Sequence, residues 1–382
     1  MENGRTISPP QKVSGRLVLE DRILPGRVQI ENGWIVGVEP DGAEADGPYI
    51  SPGFVDVHVH GWGGYGAMDG PEALSGMAQA LLRHGVTGFL PTAVTASFDT
   101  LSAFAANVRN WMPQAPADGA EPLGFNFEGP YINPEKMGAQ NPAFIQVPAE
   151  ADRRRLEDLL DGLRFITMAP EVPGALDLIR WFAAHGVVIS LGHSNTSYAI
   201  AAAAYAAGAR STTHIFNAMS GVHQHEPGLA VAALADNGAY VEMIADGHHV
   251  DRSVWPLVWR AKRPDRLIFV SDAISMAGAG QGRFSLGGLD VEIVGDECRL
   301  VSDGHLAGSV IAIDTAVRNM VQAGLSLSRA VAAATQNPLA LLGVTDRGRL
   351  APDQRADLVE LDADLRVHRV MRAGRWYEGP AA

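Results

Sequence analysis

The chain has little of what marks several common protein classes. Among its 382 residues there is one cysteine, Cys298, which excludes an intramolecular disulfide and leads us to expect a reducing, cytoplasmic setting. Basic residues are also scarce, 30 against 43 acidic ones, for a net charge of -13. That balance argues against nucleic acid or an anionic membrane as a partner; an anionic ligand would need a local metal or basic cluster to draw it in. Long apolar runs are missing too: the alanine-rich stretch from Ala199 to Ala209 is far too short to span a bilayer. The opening residues, with Glu2, Arg5, Pro9 and Pro10, carry no apolar segment of the kind found in secretory signals. No internal repeat or low-complexity linker stands out. What is present is 47% hydrophobic and 19% charged, an ordinary globular composition, in a chain long enough for one large domain and a small one.

The most informative stretch is Gly53-Phe54-Val55-Asp56-Val57-His58-Val59-His60-Gly61-Trp62-Gly63-Gly64. Its apolar, β-branched residues read as a buried strand, and alternation along a strand sends His58 and His60 to the same face. The glycine-rich loop that follows leaves both imidazoles at the strand's C-terminal end, a pairing that suits zinc or iron. The competing reading is a pair of ordinary core histidines. The loop also spells Gly61-x-Gly63-x-x-Gly66, but no acidic residue ends the next strand about 20 residues on, where a dinucleotide ribose would need it.

Around this stretch the texture changes twice. Residues 1–10 read as a loose tail, and Arg16–Leu19, Arg27–Ile30 and Trp34–Val38 as short strands. From Pro52 onward, apolar strands alternate with helix-period segments. The strands are Phe54–His58, Val86–Thr92, Leu123–Glu128, Arg164–Ala169, Val187–Leu191, Ser211–Ile215, Tyr240–Ala245 and Leu267–Ser271. The helices are Glu72–His84, Asp99–Trp111, Ala175–His185, Ser197–Ala207 and Arg252–Lys262. Eight such repeats predict an α/β fold, a closed (β/α)8 TIM-like barrel over residues 52–346. Arg283–Leu300 reads as an inserted hairpin or meander, followed by helices at Ile311–Gln322 and Ser328–Ala334. Short strands return at Asp357–Leu361, Val367–Val370 and Trp376–Tyr377, so residues 347–382 are expected to join residues 1–51 in a small β-sandwich domain.

In such a barrel, functional residues gather at the C-terminal strand ends. Read in order, those ends carry His58 and His60, Glu128, His193, His214 and Asp272, so metal-type residues close five of the eight strands. Singly, each is an ordinary core or loop residue; together on one rim they point to a metal centre. The histidines at 84, 185, 223, 248, 305 and 368 fall on helices or loops and read as structural or solvent-facing.

The stretches Pro52–Gly61, Phe127–Pro134, Gly192–Asn195, Thr213–Met219, Glu226–Gly228, Ala245–Asp251, Val270–Ala273 and Leu306–Ser309 resemble the amidohydrolase superfamily and, within it, the N-acetylglucosamine-6-phosphate deacetylases. That resemblance implies a metal-dependent hydrolase of the small-molecule amino-sugar phosphate, with Glu128, His193 and His214 holding the principal divalent metal. Zinc is the first expectation, and iron, cobalt or manganese the alternatives. Because His58 and His60 are kept, a second ion bridged by Glu128 is open. The resemblance further implies metal-activated water as nucleophile and Asp272 as general base, then acid. Ala139, Gln140, Asn217, Ala218, His225, Asp246, His249, Leu306, Ala307 and Gly308 match substrate-binding positions, and a homodimer is implied by the place of position 225 across subunits. Two residues depart from the family pattern. Gln140 stands where a histidine polarises the scissile carbonyl, and an amide can donate there but cannot become cationic. His225 stands where an arginine grips the phosphate, and it lacks the bidentate fork. These departures keep related substrates in play: the galactosamine epimer, an unphosphorylated N-acetyl amino sugar or another acyl group. A cyclic-amide hydrolase or deaminase on the same barrel, or a sugar-sensing barrel without activity, are more distant readings.

Overall fold

The structure, a computed structural model, describes residues 10–40, 47–150 and 152–380. The expected N-terminal tail, apart from Pro10, lies outside the described residues. Eight parallel strands form the barrel in sequential order: Phe54–Val59, Val86–Ala93, Phe125–Glu128, Leu163–Met168, Val188–Leu191, Ser211–Thr212, Tyr240–Met243 and Leu267–Phe269. We refer to them as the first to eighth barrel strands. The ring is drawn together at its mouth, where the Asp272 amide donates to the His58 carbonyl at 2.9 Å and the His60 amide to the Ala273 carbonyl at 2.8 Å.

Each strand sits where its apolar run predicts, within a few residues, with one instructive exception. The sixth is only Ser211–Thr212, short of the expected Ile215. His214, Phe216 and Ala218 adopt left-handed φ of 28°, 74° and 48°, which takes the chain out of the ladder at the first of them. The first barrel helix, Pro71–Arg83, shows why the helix expectations hold. It buries Leu74, Met77, Ala78, Leu81 and Leu82, one stripe at helical spacing, with proline opening it, Glu72 in its first turn and Arg83 in its last. The helix expected from Arg252 begins only at Trp255, because Asp251 first folds back to accept from the Ser253 amide at 2.8 Å and hydroxyl at 2.6 Å. Short helices at Arg153–Glu157, Leu229–Ala235 and Gln336–Leu342 fall in segments to which no element was assigned from sequence.

Along the first strand, Asp56, His58 and His60 alternate with Val55, Val57 and Val59. Val55 and Val57 pack in one apolar cluster with Leu339, Leu341 and Leu342 of the last short helix. The same cluster holds Phe165, Val188 and Tyr240, each two residues before Thr167, Ser190 and Glu242 on its strand, so it fills the barrel's interior, and Asn126, Thr167, Ser190 and Glu242 form a fully buried polar layer above it.

The two chain ends share a seven-stranded sheet. Leu358–Leu361 pairs antiparallel with Tyr49–Pro52, placing Val367–Arg372 and Arg375–Glu378 on one side and Gln11–Val18, Ile23–Glu31 and Trp34–Pro40 on the other. Its own core contains Leu17, Val28, Ile30, Ile35, Ile50, Leu358 and Met371. After the eighth strand, Gly282–Leu286, Leu289–Val294 and Glu297–Leu300 make the expected antiparallel meander. No helix among the described residues is long and apolar enough to cross a membrane.

A charged knot ties barrel to sheet. Glu121, beside the second strand, accepts from Arg347 at 2.9 Å and pairs with Arg355, which also pairs with Asp357, just before the Leu358–Leu361 strand of the end sheet. Burial would raise the Glu121 carboxyl, but the Arg355 and Arg347 guanidiniums outweigh it and hold it below the usual range. Replacing Glu121 with glutamine takes one carboxylate from each of two arginines, leaving Arg347 with Asp346 and Arg355 with Asp357. A fully buried pair broken this way costs about 3–5 kcal/mol. Glu121 keeps 28% of its side chain exposed, so a loss of about 2–3 kcal/mol is expected. The sign with pH follows from the lowered pKa: the contribution is present above the unfolded carboxyl's value and disappears as pH falls through the folded one. Urea midpoints of wild type and Glu121→Gln should differ clearly at pH 7 and converge on acidification.

Candidate metal centre and ligand cleft

The barrel brings all six strand-end residues together. Glu128 ends the third strand and is buried at the centre of the group. Its Oε1 lies 3.0 Å from His193 Nε2, 3.1 Å from His214 Nε2 and 3.4 Å from His58 Nε2, and its Oε2 lies 3.1 Å from His60 Nε2. Asp272 Oδ1 lies 3.2 Å from His60 Nε2 and 3.6 Å from His58 Nε2. Two groups of donor atoms result: His58, His60, Glu128 and Asp272 in one, and Glu128, His193 and His214 in the other, with Glu128 common to both.

What lies behind the rings fixes which nitrogens face inward. The Nδ1–H of His60 donates to the Thr92 carbonyl at 3.1 Å, that of His193 to the Lys136 carbonyl at 2.9 Å and that of His58 to the Glu242 carboxylate at 3.2 Å. This tautomer turns the Nε2 lone pairs toward the centre. There His58 and His60 Nε2 approach to 3.3 Å, and His193 and His214 Nε2 to 3.1 Å. Lone pairs so close require a cation or a shared proton between them, and two carboxylates complete an oxygen and nitrogen set suited to a divalent metal. The residues present therefore fit a metal ion.

The electrostatics agree. Burial would depress the two first-strand imidazoles, yet Asp272 and Glu128 raise His60 to about 9, and Glu128 and Asp272 raise His58 well above its ordinary value. Conversely, burial alone would raise the carboxyls; His58, His193 and His214 hold Glu128 well below the usual range, and His58 and His60 hold Asp272 below it. Beneath them, burial pushes Asp56 up to about 7 although it accepts from Ser271 Oγ at 2.5 Å and from the His58 amide at 3.2 Å. Asp56 so joins the first strand to the turn after the eighth.

The local backbone is strained where the site is built. His193, His214 and Asp272 have φ of 47°, 28° and 49°, a region that non-glycine residues rarely occupy. Gly192 lets His193 turn inward, since a Cβ there would stand 2.7 Å from Thr213 Cβ. Gly308, at φ 64°, passes so close that a Cβ would lie 2.8 Å from the Asp272 carbonyl.

Above the donor atoms opens a cleft of about 610 Å³, within the range of small-ligand sites. Ala139, Gln140, Asn217, Ala218, His249, Leu306 and Gly308 line it, as expected. Three expected residues do not. Asp246 stands behind His249, accepting from its Nδ1–H at 2.6 Å and from its amide at 2.9 Å. Ala307 is buried, and His225 lies on an exposed loop 6.0 Å, ring to ring, from His223. Gln140 is clamped at both ends: its Oε1 accepts from the Thr95 amide at 2.7 Å, which orients its Nε2 to donate to Glu128 at 2.5 Å. One amide hydrogen stays free.

Lys136, Arg299 and Asp303 also line the cleft and were not singled out from sequence, and His305, expected to be structural or solvent-facing, lines it too. Arg299 and His305 come from the meander and the loop behind it, a position that strand-end reading does not sample. Glu242 was missed as well, although an acidic residue inside Tyr240-Val241-Glu242-Met243 breaks an otherwise apolar strand. Of the remaining histidines, His84 pairs with Asp314 at 3.3 Å, His185 donates to the Trp181 carbonyl at 2.7 Å, and His248 bridges Asp296 and Glu297 at 3.0 and 2.8 Å.

Comparison with known proteins agrees with this geometry. The amidohydrolase family profile matches residues 49–377. The N-acetylgalactosamine-6-phosphate deacetylase of Escherichia coli O157:H7 is 36% identical over 378 residues, 96% of this chain and 97% of the relative. The N-acetylglucosamine-6-phosphate deacetylase of Bacillus subtilis is 34% identical, with 92% of each chain covered. Among solved structures, an aspartate-to-alanine mutant of the Mycobacterium smegmatis N-acetyl-D-glucosamine-6-phosphate deacetylase, in complex with N-acetyl-D-glucosamine-6-phosphate, superposes with a TM-score of 0.89 at 32% identity, covering 97% of this chain and 99% of that one.

Proposed function

The chain belongs to the amidohydrolase family, and we propose that within it this protein removes the N-acetyl group of an amino-sugar 6-phosphate, N-acetylglucosamine 6-phosphate first, giving acetate and the free amine. The observation that carries the reading is Asp272: a carboxylate 3.2 Å from His60 Nε2, opening onto the cleft beside the Glu128-linked imidazoles. Glu128, His193 and His214 would hold one metal ion, and His58 and His60, with Glu128 and Asp272, a second. Zinc is the ion we expect, as the nitrogen-rich donor set favours it. When bound, the metal supplies Lewis acidity that makes water nucleophilic near neutral pH and polarises the amide carbonyl.

The chain's own residues do the rest. Asp272, an acceptor held ionised by His58 and His60, takes the proton of the attacking water and returns it to the departing nitrogen, which leaves poorly unless protonated. Gln140 keeps one N–H for the acyl oxygen as charge develops on it. His249, braced by Asp246, reaches the sugar, and Asn217 with the Ala218 amide takes the phosphate. Lys136 and Arg299 provide the local positive charge that a chain of net charge -13 needs to hold an anion. His225, too exposed to serve its own cleft, reaches that of a second subunit in a cytoplasmic homodimer.

The sugar epimer has a second reading, since a relative 36% identical over 96% of the chain acts on the galactosamine substrate by name. An acetate-release assay on both epimers, with and without the 6-phosphate, decides. We expect kcat/KM to favour a phosphorylated sugar by about 10²-fold, the worth of one or two charge-assisted hydrogen bonds. Equal rates on the free sugars would remove phosphate from the proposal, and no acetate from any of them would remove the deacetylase.

A further inference from the structure

Three of the four imidazoles at the mouth have their Nδ1–H engaged from behind, and the partners are not alike. Thr92 and Lys136 offer neutral backbone carbonyls to His60 and His193. His214 Nδ1 has no partner at all. His58 alone is backed by a carboxylate, Glu242, at 3.2 Å. Glu242 belongs to neither group of inward-facing donors, is fully buried on the seventh strand, and pairs with no lysine or arginine among the described residues. Its other oxygen is reached by Ser190 Oγ at 3.5 Å. That hydroxyl accepts from Thr213 Oγ1 at 2.7 Å, and Thr213 in turn stands 2.9 Å from Thr167 Oγ1. A carboxylate is costly to bury in this way, and packing does not account for it.

We infer that Glu242 is the positioning residue of the first-strand half of the centre: it fixes and strengthens His58 as an Nε2 donor, so that the ion shared by His58, His60, Glu128 and Asp272 depends on it, whereas the ion held by Glu128, His193 and His214 does not. The asymmetry is what carries the point. An anionic partner behind a ligating imidazole fixes its tautomer and raises its donor strength, and loss of such a partner typically weakens metal binding about 10- to 100-fold. Only one of the two donor groups has such a partner here. A neutral acceptor behind His58 would fix the tautomer equally well, as Thr92 does for His60; the negative charge is the addition. The seventh strand, which contributes no inward-facing donor, thereby takes part in the centre.

The inference rests on the proposed metal centre, and the experiment separates the two. Full-length wild type, Glu242→Gln and Glu242→Leu are stripped with chelator, titrated with zinc, and assayed for bound metal and for thermal unfolding in the stripped state. Wild type should bind two ions. Glu242→Gln, which keeps an acceptor but loses the charge, should bind the first ion as wild type does and the second about 10-fold more weakly. Glu242→Leu, which loses the acceptor as well, should weaken the second about 100-fold. The stripped Glu242→Gln protein, which keeps an acceptor for the His58 Nδ1–H, should unfold close to wild type, whereas a purely structural glutamate would lose stability in that variant and leave both ions bound as in wild type. Loss of both ions together, unchanged binding of both, or a wild type that takes up one ion only would each overturn the inference. A wild type that binds no zinc would overturn the metal centre itself, and the inference with it.

Discussion

Asp272→Asn should lower kcat by about 10³-fold or more, inside the 10²–10⁴ range for losing a general acid–base, while KM and the fold change little. The substitution is nearly isosteric and the local backbone tolerates it. Asparagine accepts left-handed φ more readily than most residues, and Asp272 sits at 49°. The bonds that locate the turn are made by its main chain, from its amide to the His58 carbonyl at 2.9 Å and from the Ser309 amide to its carbonyl at 2.7 Å. An asparagine side chain can still offer an oxygen at the place where Asp272 Oδ1 meets His60. What it cannot do is accept a proton from water and hand it to nitrogen. Initial rates and metal content must be measured on the same sample, because Asp272 also belongs to one donor group. Full turnover by a metal-loaded Asp272→Asn protein would remove Asp272 from the chemistry.

The barrel was legible because its strands are short apolar runs at regular spacing, and the site because its donors end those strands. Those signals are local. The residues that escaped are those whose meaning depends on a neighbour distant in sequence. Glu242 is only an oddity in an apolar strand until the fold sets it 3.2 Å from His58, 184 positions earlier. Arg299 joins the cleft through a meander inserted after the last strand, so neither strand order nor periodicity could place it. The early end of the sixth strand has the same origin. Thr213-His214-Ile215-Phe216 is apolar enough to continue the strand, but His214, Phe216 and Ala218 take left-handed φ and carry the chain out of the ladder, a turn no local pattern announces. Gln140 is a milder case. The substitution was visible, but its double clamp between the Thr95 amide and Glu128 was not. That clamp shows how an amide can occupy the position without loosening the carboxylate at the centre.

Glu128→Ala should abolish activity more completely than any other single change, and its metal content should explain why. Glu128 is the one residue common to both donor groups, touching His193 and His214 with one oxygen and His60 with the other. Removing a donor on one side, as in His60→Asn, leaves the other group whole, so one ion should be retained. Removing Glu128 leaves the His193 side with two imidazoles and no carboxylate, and the His58 side with two imidazoles and Asp272 alone. Metal stabilisation of developing charge is worth several kcal/mol, and about 4 kcal/mol already corresponds to about 10³-fold in rate. The variant should therefore match chelator-stripped wild type in acetate release and fail to recover on adding excess zinc, which the stripped wild type does. Gln140 adds a check on specificity. Its Nε2 donates to Glu128 and keeps one N–H for the acyl oxygen, so Gln140→Ala should leave both ions bound and lower kcat by about 10²-fold. If Glu128→Ala instead kept a full ion and more than about a tenth of wild-type turnover, a loss well under the roughly 10³-fold expected, the two donor groups would not share a carboxylate in the working enzyme.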